Sequence, residues 1–163
     1  MPEFLNGIAP RAVEVEFPTL LDFPAPRLLV YPVETVVAEK VEAMVRLGMA
    51  NSRMKDFFDL WHLSKLTHFD GDRLTAALCA TFARRGSLIP EGLPVALTAE
   101  FGGNPSKIGQ WRAFCRKDAR LQATASLSEV LRDIAVFLEP LFHAASSGKK
   151  FHAKWHSERW HEL

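Results

Sequence analysis

Glu34-Thr35-Val36-Val37-Ala38-Glu39-Lys40-Val41-Glu42-Ala43-Met44-Val45-Arg46-Leu47-Gly48 is where the chain turns from short extended segments to helix. Stepped at 100° per residue, Val36, Ala43, Leu47, Met44, Val37, Val41, Val45 and Ala38 sweep one apolar arc. Glu42, Thr35, Arg46 and Glu39 fall opposite. Lys40 does not join them: it falls between Leu47 and Met44, inside the arc. Lysine is rarely buried unless it is paired. Lys40 therefore either snorkels from the edge of the stripe, pairs with a carboxylate on the next helix, or meets an anion such as phosphate as a compact point charge.

Before this helix the chain is punctuated by Pro2, Pro10, Pro18, Pro24, Pro26 and Pro32. Two strand candidates lie between them, at 12–17, where apolar and polar residues alternate, and at 27–31. After it, helical spacing recurs at about 34–48, 52–66, 71–85, 104–119 and 127–144. Asn104-Pro105 and Ser126 read as helix starts. Residues 86–103 form a long connector, and 146–163 a basic tail carrying tryptophan and histidine. Two strands do not make a stable sheet alone. The expected fold class is α+β: a short N-terminal strand pair followed by a mainly α-helical bundle over 1–145, with 146–163 as a packed amphipathic tail or a partner contact.

Composition narrows the function. A chain of 163 residues that is 48% hydrophobic and 24% charged can bury a core, which excludes a disordered protein. A net charge of +1 excludes a uniformly basic nucleic-acid binder, though not a local basic patch. No apolar run approaches the roughly 18 residues of a membrane span. The N-terminus lacks the basic-then-apolar order of a signal peptide. Cys79 and Cys115 stand far apart with no CxxC, and Cys79 reads as a small buried hydrophobe. A soluble, cytoplasmic domain is expected, with no membrane partner.

The next helix supplies a setting for Lys40. In Arg53-Met54-Lys55-Asp56-Phe57-Phe58-Asp59-Leu60-Trp61, Met54, Phe57, Phe58 and Trp61 form a core stripe. Asp56 lies beside it, near Leu60 and Leu63. Asp59 falls toward the polar side, four residues after Lys55, where a solvated ion pair is expected. A short connection makes the two helices neighbours, so Lys40, Arg53 and Asp56 can share one cleft. Asp56 should be more buried than Asp59. Cations to hold phosphates and a carboxylate to take a proton or hold metal suit phosphoryl or nucleotidyl transfer. A structural Lys–Asp bridge fits the same spacing.

Other features are weaker. Arg112, Arg116 and Arg120, with Lys117, make a basic stripe that reads as a solvated face or a phosphate-backbone contact, with Trp111, Phe114 and Cys115 facing inward. His152, His156 and His161 fix no third metal ligand by spacing. Asp70-Gly71-Asp72 opens a helix, where a cap and a first-turn acid explain it. No GxSxG and no GxxxxGK[ST] is present.

Tyr31-Pro32-Val33-Glu34-Thr35-Val36-Val37-Ala38-Glu39-Lys40-Val41-Glu42-Ala43-Met44, followed by Asn51-Ser52-Arg53-Met54-Lys55-Asp56-Phe57-Phe58-Asp59-Leu60, resembles the AbiEii/AbiGii toxin family. Its members are nucleotidyltransferase-like proteins of abortive-infection and toxin–antitoxin systems. The resemblance extends over nearly the whole chain. It implies that Lys40 and Asp56 are catalytic, that Lys40, Arg53 and Lys55 bind nucleotide phosphate, and that Asp59 supports them. It also implies Mg2+, held in the family by an Asp-x-Asp pair that follows a Gly-Ser turn in an N-terminal half. Nothing before Ala12 matches that half. The expectation is accordingly a truncated member, the C-terminal half of the nucleotidyltransferase-like fold, without metal ligands and inactive alone. The complete protein would transfer a nucleotide from a nucleoside triphosphate to an acceptor such as tRNA, and a cognate antitoxin is an expected partner. The alternative is a non-catalytic remnant that binds antitoxin or RNA.

Overall fold

The computed structural model describes residues 31–117 and 125–163, together with the backbone of two further strands. Those strands, β1 (Val13–Glu16) and β2 (Arg27–Val30), pair antiparallel, with Val13 opposite Val30 and Glu16 opposite Arg27. Then follow α1 (Val33–Leu47), α2 (Met54–Leu66), β3 (Phe69–Asp70) and α3 (Gly71–Arg85). The chain continues through α4 (Ala99–Gly103), α5 (Pro105–Cys115) and α6 (Leu127–Ser147) to β4 (Ala153–His156) and β5 (Arg159–Glu162). The α+β class expected from the sequence is the one observed, with a second, three-stranded sheet of order β3-β4-β5 added to it.

Helix α6 is the spine of the core. Val130, Leu131, Ile134, Phe137, Leu138, Leu141 and Phe142 recur at helical spacing and are all buried. They pack against Phe57 and Leu60 of α2 and against Leu74, Leu78 and Phe82 of α3 in one cluster. Its start is sharply defined: the Ser126 hydroxyl accepts from the Glu129 N–H, and the Glu129 carboxylate accepts in return from the Ser126 N–H. It runs past the expected end at 144 to Ser147, where Gly148 closes it in the left-handed conformation. Pro140 sits inside it without ending it. The carbonyl that loses its donor there belongs to the exposed Val136, where water can replace it.

The other expected starts also hold. Asn104 caps α5 with Pro105 in the first turn, and Asp70 caps α3 by accepting from the Arg73 N–H at 3.0 Å. Residues 118–119 of the helix expected over 104–119, and Arg120 of the basic stripe, lie outside the described residues. Arg112, Arg116 and Lys117 are exposed, Trp111 is buried, and Phe114, Cys115 and Cys79 are only half-buried. The connector 86–103 holds a 3₁₀ turn at Val95–Leu97 and the short helix α4, capped by Thr98.

Two readings change. The first concerns α1. Val36 is exposed, whereas Glu34 and Glu42, the latter expected on the polar face, are buried. The buried face is thus rotated away from the apolar arc, because α3 lies along α1 and brings partners with it. Arg73 meets Glu34 at 3.1 Å, and Ser87, just past α3, donates to Glu42 at 2.6 Å. Lys40 ends at the flank of the buried face rather than inside it. The second concerns the tail, which is a β-hairpin that closes the core. Ser157 and Glu158 form its two-residue turn with φ of 51° and 59°. Trp155 donates to the Ser64 carbonyl at 2.6 Å and Trp160 to the Phe137 carbonyl at 2.9 Å.

The Asp70-Gly71-Asp72 segment anchors this hairpin. Asp72 accepts from the Phe151 N–H at 2.7 Å and meets His152 at 2.6 Å, while Asp70 meets Lys154 at 2.9 Å. A Cβ on Gly71 would overlap the Phe151 carbonyl, so only glycine admits this approach. With β4 and β5 extended, His152 and His156 no longer share a helix face. His156 instead stacks on His161 with ring centroids 3.7 Å apart.

Candidate functional site

The site is built around the turn between α1 and α2. The Asn51 side chain accepts from the Arg53 N–H at 2.9 Å, a local turn that Asn favours, and Asn51 itself is buried. Lys107 of α5 reaches across to donate to the Asn51 carbonyl at 2.8 Å, its ammonium 5.2 Å from the centre of the Phe101 ring. This buried lysine, which the sequence did not single out, fixes where α2 begins. Asp56 then falls in the first turn of α2, where the helix dipole favours a carboxylate.

Lys40 meets that turn from α1. Its ammonium donates to Asp56 Oδ1 at 2.8 Å and to Asp59 Oδ2 at 2.7 Å. Lys55 donates to the same Asp59 oxygen at 2.7 Å. Arg53 Nε lies 2.7 Å from Asp56 Oδ2, but off the hydrogen-bond axis, so that oxygen is in ion contact yet accepts no hydrogen bond among the described residues. All five residues that the sequence marked, Lys40, Arg53, Lys55, Asp56 and Asp59, thus form one network. The Asp56 side chain is 8% exposed and that of Asp59 22%, the order expected from the wheel.

The network sets the titration of its members. Burial pulls the Lys40 ammonium down, but the hydrogen bonds and charges of Asp56 and Asp59 outweigh it and leave the group above the usual lysine value. Burial pushes the Asp59 carboxyl up, and Lys40 and Lys55 outweigh it in turn, holding it below the usual range. A depressed carboxyl contributes stability above its unfolded value, about pH 3.9, and loses it as pH falls through the folded value. A raised ammonium contributes fully below about pH 10.4 and loses that as pH rises through its folded value. The melting-temperature gap between the native chain and Asp59→Asn should therefore stay flat from about pH 5 to 9 and narrow on acidification. A gap that widens below about pH 4 would contradict the pairing.

A cleft of about 510 Å³ opens beside Lys40, within the range of small-ligand sites. Lys40, Arg46, Arg53, Arg84 and Arg85 line it, with Glu39 and Glu42 as the lining carboxylates and Tyr31 among the remaining walls. Of the marked residues, Lys40 and Arg53 reach this space; Lys55, Asp56 and Asp59 are not part of its lining. Arg46, Arg84 and Arg85 were missed. Their only sequence signal is that α1 ends in one arginine and α3 in two, which helix ends favour anyway.

The model of the family described as the nucleotidyl transferase AbiEii toxin, of type IV toxin–antitoxin systems, matches residues 4–138. The chain belongs to the AbiEii family. No curated protein and no solved structure matches it. AbiEii membership makes this a chain of the nucleotidyltransferase type, with a nucleotide as substrate and an antitoxin as partner implied at the family level. Among the described residues no helix is long and apolar enough to cross a membrane.

Enzymes of the nucleotidyltransferase type typically draw on a divalent metal. Among the described residues of this AbiEii chain, no three His, Cys, Asp or Glu side chains converge to hold one. Asp56 and Asp59 do not fit that role. Three cations already surround the two carboxylates, and a metal at Asp56 Oδ2 would meet Arg53.

Proposed function

We propose that the cleft beside Lys40 binds the phosphates of a nucleoside triphosphate, and that the chain serves nucleotidyl transfer from it to an acceptor such as tRNA. One observation carries the reading: among the described residues, five cations and two carboxylates line a single cleft of ligand size, with Lys40 and Arg53 among the cations. A lysine ammonium has three donors, and Asp56 and Asp59 take two. Among the described residues one remains for a phosphate oxygen. The two carboxylates hold the ammonium in place and keep it charged, which offsets the cost of arranging it when phosphate arrives. In this reading Lys40 and Arg53 touch the nucleotide. Asp56, cast as catalytic by the resemblance, acts by orienting both cations, and Asp59 and Lys55 complete the ring. Magnesium, on which such transfer would draw, takes no ligand from Asp56 or Asp59.

The same ion pairs favour a second reading. Lys40 faces two carboxylates, as a purely structural clamp would, and the surface would then serve as a non-catalytic module binding antitoxin or RNA. Titration of the purified chain with ATP and the other nucleoside triphosphates separates the two. Lys40→Ala and Arg53→Ala should each weaken binding by about tenfold, the worth of one charge-assisted hydrogen bond. Triphosphate affinity indifferent to both substitutions, or antitoxin binding unaffected by Lys40→Ala without any triphosphate affinity, would favour the module.

A further inference from the structure

The far side of the cleft carries a pair of cations that the Lys40 network does not use. Arg84 and Arg85 end α3, and both turn to one carboxylate on α1: Arg84 Nη2 contacts Glu39 Oε1, and Arg85 Nη2 meets Glu39 Oε2 at 2.8 Å. One carboxylate thus bridges two guanidinium groups, one oxygen to each, and among the described residues a single negative charge answers two positive ones. All three residues line the cleft together with Lys40. The neighbouring cation Arg46 is already matched, by Glu42 at 3.1 Å. Among the described residues the unmatched positive charge of the lining therefore sits at Arg84 and Arg85.

We propose that Arg84 and Arg85 form a second anion subsite that takes a phosphate group, and that Glu39 is the internal carboxylate it displaces. This rests on the reading of the cleft as a phosphate-binding site and adds a subsite to it. The chemistry favours exchange. A carboxylate offers two acceptor oxygens and one charge; a phosphate offers three oxygens and up to two charges, in the spacing that guanidinium forks match. The arginine side chains are more than half exposed, so the ion pairs to Glu39 are screened by water and cost little to open. Glu39 occupies the position of the ligand and sets a threshold that weak anions do not cross. Phosphate from the end of a polyphosphate chain and phosphate from a nucleic-acid backbone share this chemistry.

The test uses the full chain with two probes, inorganic tripolyphosphate and a short single-stranded RNA bearing no terminal phosphate, titrated by calorimetry. Glu39→Gln keeps the shape of the side chain and removes its charge. It should tighten binding of at least one probe by about three- to tenfold, since a competing charge is lost. Arg84→Ala combined with Arg85→Ala should weaken the same probe by tenfold or more. A response confined to tripolyphosphate assigns the subsite to the polyphosphate end of a ligand, and one confined to RNA assigns it to a backbone phosphate. Glu39→Gln affinity equal to or weaker than native for both probes would overturn the proposal and leave Glu39 as a helix-to-helix tie. The outcomes separate this inference from the reading beneath it. Loss of nucleotide binding in Lys40→Ala with no effect of the arginine pair sinks the subsite alone. The reverse pattern sinks the Lys40 site and keeps the subsite, and no binding of any probe by any form sinks both.

Discussion

Trp155→Ala should lower the unfolding free energy by about 3–5 kcal/mol, enough to consume a large part of a small domain's stability. Trp155 is 2% exposed and sits where three parts of the chain meet. Its ring lies 4.8 Å from Phe137 of α6 and 5.3 Å from Trp160, and its backbone stands opposite Phe69 in β3. Truncation leaves a cavity lined by residues of α2, α6 and the hairpin, and strands the Ser64 carbonyl that accepted from the indole. Denaturant melts followed by circular dichroism would measure the loss. A change under about 1 kcal/mol would mean that the hairpin is an appendage rather than part of the core.

In the Lys40 network the larger loss should follow Asp56→Ala. Lys40 would keep Asp59 alone, and Arg53 would lose its carboxylate partner among the described residues. Breaking a fully buried pair costs about 3–5 kcal/mol. Here Lys40 is 18% exposed and Arg53 faces water, so about 2 kcal/mol is expected. Asp59→Ala should cost about 1 kcal/mol or less, since Lys40 keeps Asp56 and Lys55 is solvated. Equal losses in the two variants, measured by the same denaturant melts, would show that the buried carboxylate is not the principal anchor. Nucleotide titration should follow the same order, because a loosened Lys40 must be re-ordered when phosphate binds.

Much of this architecture depends on interactions within a few residues, and those were legible. Caps at Asp70, Asn104 and Ser126 join a side chain to an N–H two or three positions away, so the local sequence contains both partners. The same holds for the pairing of Arg53 with Asp56 and of Lys55 with Asp59, three and four residues apart at the start of α2, and for the ordering of the two aspartates by their apolar neighbours. Lys40 could be marked as misplaced because helical periodicity is a property of a single segment.

What α1 packs against is not such a property. Glu42 reads as solvated until Ser87 is brought beside it, and nothing local marks Glu34 as the partner of Arg73; burial of a carboxylate is tolerable only with partners, and Arg73 and Ser87 lie on or just past α3. The hairpin was hidden for a related reason. Its turn, Ser157-Glu158, lacks the Asn-Gly or Asp-Gly signal, and β4 needs the edge of β3, more than 80 residues away, to pair with. The cleft is the extreme case. Arg84, Arg85 and Glu39 become neighbours only when α3 is laid along α1, so sequence by itself determined where the longer helices lie and that Lys40 stands out of place. Tertiary structure alone decided which charges of different helices face one another, because electrostatic partnership depends on distance in space and not on distance along the chain.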